Sequence, residues 1–590
     1  MNRTKLFKPA TALLIIALAL YANTTSYDFS LDDSYHLLGN DEVKLASYSI
    51  EAFSEPTWPG NLYRPLLSSS LALTYAAFGA NPIPYHLTNA AIYALCVVFA
   101  FLLLADLLSL RTAFISALLF AVHPIHVEAV ANVSHRTELL AFLFGLSALH
   151  FAMRAAMRAS LFDAIVSFAA MLLSLLSKES ALAFVPLLLC ALTVVKQRQT
   201  IKLPVAAATA ALIVYLILRI NALGSIIVPG TEVFFVVNPL ASLPASARIE
   251  NALILLGHYI YLMIFPASLT HDYSFAKTVP ISNFLDPNVI MYLTLLATMA
   301  LLGAYGLFKK NPIWFWPAWF FISIAIQSNL FFPIGTVFAE RLAFTPSLAV
   351  CALAGISAAS LSNRTLQLTL TCLVTAILSG KTLVQSSYWR SNTTLHTQGI
   401  VLSPASAKAQ QNYAIVLMNN GKFPEAISQL KKALAIYPNY GDAAFRIGLC
   451  YEAMQQQDSA QEWFYRAQEI QPQHTASRNA LGWRLIKQQN FNEAKPLFDE
   501  VTRIDPENFR AKLGLYAIAV AKDDMDVAAS YNNWLYQNKP NDKAYQLWRK
   551  VFIAKLRLRS QTPHSESTSQ GSALLVPDGE SPGAQQDEHR

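Results

Sequence analysis

Apolar residues run through the chain in long blocks as far as about residue 385, and beyond it the pattern changes to short amphipathic stretches. Blocks of about 16 to 21 residues, near the length a bilayer crossing needs, begin near Tyr85, Thr112, Thr137, Leu161, Ala181, Leu203, Ile249, Val289, Ile313, Phe344 and Thr365. The block behind Arg3, Lys5 and Lys8 brings the candidates to twelve. It reads as an uncleaved first span, because "YANTT" is a weak cleavage site and many apolar segments follow.

Basic loops set the orientation. Arg154 and Arg158, "KQRQTIK" (196–202), Lys309 with Lys310, and Arg364 mark the cytoplasmic side. Residues 221–287 must then begin and end outside, which one crossing at 249–268 cannot do. That segment is expected to be re-entrant or to have an unrecognised partner, leaving eleven spans with the carboxy-terminal half outside. On this topology "LDDSYHLLGND", "NLYRPL", "HPIHVEAVANVSHRTE", "SKES", "THDYS" and "FAERLAF" all converge on the outer face. Ionisable groups at membrane depth are costly and mark a pathway or a site.

In the polar half, prolines stand at 404, 438, 472, 506 and 540, and alanines at 426, 460, 494 and 528 repeat the same 34-residue step. That period is the tetratricopeptide repeat, a helix-turn-helix unit with small residues where its helices cross. Gly448, Tyr451, Ala460, Phe464, Ala467 and Pro472 make the second unit the clearest. Such a solenoid binds extended polypeptide in its concave face and does no chemistry itself. The predicted organisation is a membrane domain at 1–385, a connector at 386–403, repeats at 404–557 and a disordered tail at 558–590, poor in large apolar residues.

Composition agrees with an integral membrane protein: the 590 residues are 54% hydrophobic and only 14% charged. The net charge of +7 is spread over short loops and the polar half, so it describes topology and solubility and excludes a nucleic-acid footprint. The five cysteines form no CxxC pair, ligand set or disulfide framework.

One stretch stands apart. "SYDFSLDDSYHLLGNDEVKL" (26–45) places Asp28, Asp32, Asp33, Asp41 and Glu42 directly after the first span, with Lys44 against them. Together with "YRPL", "YHLTN", "HPIHVEAVANVSHRTELLA", "KES", "HDYS", "AERLAFTPS" and the trailing repeats, in this order, it resembles the transmembrane and tetratricopeptide-repeat-containing protein O-mannosyltransferases. These are GT-C glycosyltransferases that use polyprenyl-phosphate sugars. "SHRTELLA" stands where that family often has Gly-Arg-Ala-Asp, and the repeat array is short.

The resemblance implies an all-α chain, a GT-C membrane domain followed by a tetratricopeptide solenoid. It also implies transfer of mannose or another hexose from a polyprenyl-phosphate carrier to Ser or Thr of a protein held by the repeats. The carrier's phosphate lies at the outer interface, so a base that deprotonates the incoming hydroxyl must stand there too. Asp32 is the expected base, with Asp33 orienting it or binding sugar, whereas Asp28 and Asp41 read as solvated charges. Arg136, Arg64 and Arg341, with Lys178, are candidates for the leaving phosphate, because a guanidinium matches phosphate geometry. Arg341 beside Glu340 reads equally as a structural ion pair. His123, His126, Glu128, Glu138 and Asp272 are candidates for substrate contact.

His123, His126 and Glu128 do not have the HExxH zinc spacing, so no metal site is assigned. The resemblance leaves a divalent cation open. The expected setting is a multi-pass protein, of the inner or plasma membrane if bacterial, that meets lipid, donor and protein acceptor. Two other readings share features: a lipid-linked glycan ligase with the same chemistry, and a non-enzymatic scaffold recruiting partners through its repeats. Twelve apolar segments with polar motifs exceed what anchoring requires.

Overall fold

The structure is a computed structural model, and it describes residues 3–57, 62–195, 198–226, 235–275 and 285–561. Among these, backbone order is helical, the one extended feature being an antiparallel bridge between Thr57 and Leu62. The chain divides into two compact units, Met1–Ala409 and Gln410–Arg590.

Each apolar block of the sequence becomes a helix in the first unit. Two of them form its centre. Pro82–Leu107 and Arg136–Arg158 bury 56% and 78% of their most apolar windows, and Tyr93, Val97, Phe101, Leu139 and Leu146 are fully enclosed. Glu340–Ala359 is also 56% buried. Around them Leu6–Ser26, Lys202–Leu223, Pro287–Phe308 and Arg364–Arg390 are only 11 to 28% buried. Their outward faces carry Ile217, Leu301, Phe308 and Ile377, each at least 60% exposed. Helices with apolar residues on every side and an uncovered apolar face belong in lipid.

Seven described helices are long and apolar enough to cross a membrane. An eighth is reached if Leu110–Ala121 and Pro124–Ala131, bent by 52° at their junction, count as one span. Pro65–Phe78, Leu161–Ser177, Glu179–Val194 and Pro312–Gln327 are apolar but shorter. The sequence reading of eleven spans is therefore larger than the set the helix lengths support. Several apolar blocks end early because a proline or a polar motif breaks the helix inside them, as Pro124 and "SKES" do. The segment expected to be re-entrant or to have an unrecognised partner holds one continuous helix, Ala245–Ile264, with Arg248 and Glu250 in its opening turns. It lies close against Pro287–Phe308. A Cβ on Gly257 would meet the Tyr292 carbonyl oxygen at 2.0 Å, so only glycine permits this approach.

The second unit repeats one device. Helix pairs begin at Ala407 and Phe423, Gly441 and Gln457, Thr475 and Phe491, and Phe509 and Met525, each 34 residues after its predecessor. Ala426, Ala460, Ala494 and Ala528 are fully buried at the crossings. The Phe464 ring lies against Gly448, where a Cβ would come within 2.5 Å of it. Gly421, Gln455, Gln489 and Asp523, again 34 apart, take left-handed φ of 60 to 72° in the turn within each pair. The final helix, Lys543–Gln561, continues past the expected end of the repeats, and the remainder of the predicted tail lies outside the described residues.

Candidate functional site

Polar motifs that are far apart in sequence meet at one end of the first unit. The first loop touches the 132–135 loop, where the Asn132 amide donates to the Ser30 carbonyl (2.8 Å). Arg64 meets Glu179 at 2.9 Å. Glu128 reaches Arg341, and Glu340 accepts from the Thr270 N–H (2.5 Å) and the Tyr273 hydroxyl (2.9 Å). Helix-breaking residues put these loops beyond the helix ends, where charge can be held without a lipid contact.

The neighbouring aspartates have opposite surroundings. Asp33 is fully buried and accepts four hydrogen bonds, from the Ser30 N–H (3.1 Å), the Val133 N–H (3.2 Å), and the Ser134 N–H (2.7 Å) and hydroxyl (2.8 Å). Burial pushes its carboxyl pKa up, against the pull of those donors. Asp32 has a side chain 55% exposed, with Oδ2 at 3.3 Å from His135 Nε2. Enclosure pushes its carboxyl up, but the His135 hydrogen bond and charge, then Arg341 and His36, outweigh that and hold it well below the usual carboxylate range. Leu31, just before it, has φ of 49°, an uncommon conformation for a residue with a Cβ, and its N–H is tied to the Asn392 side chain at 2.8 Å. One turn of π-helix, Ser34–Leu38, follows. The first loop thus has one clamped carboxylate and one presented. Asp28 and Asp41 are exposed, and Asp41 is paired with Lys44 at 2.6 Å.

Behind Asp32 lies a layer of ion pairs. Glu128, 2% exposed, pairs with the Arg341 guanidinium and accepts the Arg341 N–H at 2.9 Å. Arg341 therefore pairs with Glu128 and not with its neighbour Glu340, and its side chain keeps 26% exposure. Lys178 and Glu138 form a buried pair. Glu179 is shared by Arg64 and, at 3.8 Å, by Arg219. Of the four cations expected at a phosphate, Arg341 and Arg64 are partly open.

Arg136 is placed differently. It is fully buried, donating to Asn89 Oδ1 (2.7 Å), the Ser70 hydroxyl (3.1 Å) and the Tyr85 carbonyl (3.2 Å), so its donors join helices and face no open space. His123 caps the following turn by accepting from the Ile125 N–H (3.2 Å), while its Nε2 meets the Met263 carbonyl (2.7 Å). His126 lies between the Tyr93 hydroxyl (3.0 Å) and the Ser347 hydroxyl (2.8 Å). Asp272 accepts from the Ser274 N–H (2.9 Å) and hydroxyl (2.5 Å) and from the Ser406 hydroxyl (2.8 Å). These three are occupied within the protein. Among the described residues no three His, Cys, Asp or Glu side chains stand together as a metal site would require.

Sequence reasoning passed over His135, Glu179 and Arg219. His135 lies inside a motif already singled out, between Ser134 and Arg136, and its only signal was a titratable ring in the loop that meets the acidic one.

A family model described as dolichyl-phosphate-mannose-protein mannosyltransferase matches residues 64–221, and tetratricopeptide-repeat models match 405–473 and 479–543. Protein O-mannosyl-transferase TMTC3 of Mus musculus is 26% identical over 512 residues, covering 79% of this chain and 55% of the relative. Protein O-mannosyl-transferase F38B6.6 of Caenorhabditis elegans is 27% identical over 453 residues, covering 72% and 63%. Protein O-mannosyl-transferase TMTC2 of Homo sapiens reaches 38% identity over 146 residues, 23% of this chain and 17% of that one. The chain spans between about half and two thirds of the length of the first two. With both halves matched in the same order, the chain is similar along most of its length to the transmembrane and tetratricopeptide-repeat-containing O-mannosyltransferases.

Proposed function

We propose that the chain is a glycosyltransferase that moves mannose or another hexose from a polyprenyl-phosphate carrier to a Ser or Thr hydroxyl of a protein acceptor. The repeats bind the acceptor, and the reaction takes place on the non-cytoplasmic face. The observation that carries this reading is the pairing of a presented carboxylate, Asp32, with a clamped one, Asp33, in front of the Glu128–Arg341 pair.

Asp32 accepts the acceptor proton as the hydroxyl oxygen bonds to the sugar C1 and the C1–O bond to the phosphate breaks. Asp33 holds the loop, and the free edge of Arg341, with Arg64, meets the leaving phosphate. Asp32→Asn preserves size but cannot take a proton at neutral pH. Transfer from a polyprenyl-phosphate mannose to a Ser/Thr peptide, measured in nanodiscs, should fall about 10²- to 10⁴-fold with donor affinity kept. Full transfer by Asp32→Asn would end this reading. Sidedness is checked with Glu469→Cys in the repeats, which should react with an impermeant thiol reagent on intact cells.

A further inference from the structure

His135 sits in the loop that clamps Asp33, and its ring is fixed from two sides. Its side chain is 8% exposed, its N–H donates to Asn132 Oδ1 (3.1 Å), and Asn132 in turn holds Ser30 of the first loop. Nδ1 lies 3.1 Å from the Glu128 carbonyl oxygen and Nε2 lies 3.3 Å from Asp32 Oδ2.

The proton count follows from these partners. A carbonyl oxygen only accepts, so Nδ1 carries hydrogen. An ionised carboxylate also only accepts. A neutral imidazole has one N–H and can satisfy one of the two contacts, whereas the doubly protonated ring satisfies both. Glu128 Oε1, 4.0 Å from Nδ1, adds a second negative charge beside it. The charged groups around the pair are Asp32 from the first loop, Glu128 from the preceding helix, Arg341 acting through Glu128 and Asp32, and His36 acting on Asp32.

We propose that His135 is a positioning residue for sugar transfer: as an imidazolium it grips Oδ2 of Asp32 and leaves Oδ1 directed at the acceptor hydroxyl. This rests on the reading of Asp32 as the base. In the transfer step the acceptor O–H bond breaks, its proton goes to Asp32 Oδ1, the oxygen bonds to C1, and the C1–O electron pair leaves with the phosphate. His135 keeps both protons throughout.

The test is transfer by the full-length protein in nanodiscs, from a polyprenyl-phosphate mannose to a Ser/Thr peptide, with kcat and donor KM measured separately. His135→Ala should lower kcat about tenfold to a hundredfold, with the donor KM changed by less than about twofold. His135→Gln donates to Asp32 through an amide that does not titrate. It should recover most of the rate, which also keeps the proposal testable if the alanine variant does not fold. An unchanged kcat in His135→Ala, or a folded His135→Gln no more active than His135→Ala, with Asp32→Asn inactive, would overturn the role of His135 alone. An active Asp32→Asn would overturn the base assignment and this inference with it.

Discussion

Ser134 holds Asp33 by two bonds to the same oxygen, its N–H at 2.7 Å and its hydroxyl at 2.8 Å from Oδ1. Two loops a hundred residues apart in sequence are thereby locked together at a buried point. Asp33→Asn turns one acceptor oxygen into an NH₂ group facing N–H donors, and at least one donor is left unpaired. The expected cost is about 1–3 kcal/mol, seen as a lower Tm, with transfer falling in proportion to the displaced loop. Ser134→Ala keeps the N–H bond and should lose less. If Asp33→Asn melted like wild type but failed in transfer, Asp33 would have a chemical role and not a clamping one.

Arg136 and Arg341 should separate by phenotype. Arg136 is fully buried with neutral partners, so Arg136→Ala leaves Asn89, Ser70 and the Tyr85 carbonyl without their donor. Loss of thermal stability should come first, by about 2 kcal/mol or more. Arg341→Lys keeps a charge for Glu128 but not the planar fork. It should melt near wild type and raise the donor KM about tenfold, one charge-assisted hydrogen bond being worth about 1.5–3 kcal/mol. A raised donor KM in a stable Arg136 variant would reverse the assignment.

The acid side of the pH profile reports on Asp32. Desolvation by the groups crowded around it raises its carboxyl, but His135, then Arg341 and His36, lower it further, to a net value below the usual range. A depressed carboxyl pKa contributes stability that is present above the unfolded value near 4 and lost as pH falls through the lower folded value. As the proposed base, Asp32 is ionised over the same interval. Wild-type kcat/KM should therefore show no decline due to Asp32 between pH 7 and about 4.5. His135→Gln keeps a hydrogen bond to Asp32 but removes the ring's charge, a second cause of the depression, so its acid limb should move up. A wild-type acid limb centred near pH 6 would contradict this assignment.

In the repeats, Gly448 is the position to test. Val at 448 would drive a side chain into the Phe464 ring, which already lies 2.5 Å from an ideal Cβ. Overpacking of this kind costs about 1–3 kcal/mol. Limited proteolysis of the full chain should cut Gly448→Val between 441 and 470 earlier than wild type while the membrane unit resists as before. Equal cleavage rates would mean that the crossing adapts.

Much of this arrangement was readable in advance, and the exceptions have a common cause. The 34-residue step fixed the helix pairs because each turn recurs at its own residue, and apolar blocks marked the membrane helices because lipid imposes a length. The meeting of the polar motifs was also legible from loop charge. What the residues do within the cluster was not. Arg136, His123, His126 and Asp272 read as ligands for a substrate, yet their partners are Asn89, Met263, Ser347 and Ser406, which pattern along the chain cannot point to. Helix lengths depart from the hydropathy blocks for a related reason, since hydropathy does not register where a proline or a lysine-glutamate pair stops a helix.

The left-handed turn residues at 421, 455, 489 and 523 make the second unit a ladder with evenly spaced rungs. A duplicated segment of thirty-four residues could enter as one more rung, every neighbouring joint keeping its shape. A segment of any other length has no joint to occupy and must be extruded as a loop from a turn. The length of the array is therefore adjustable in whole steps, each existing joint staying as it is.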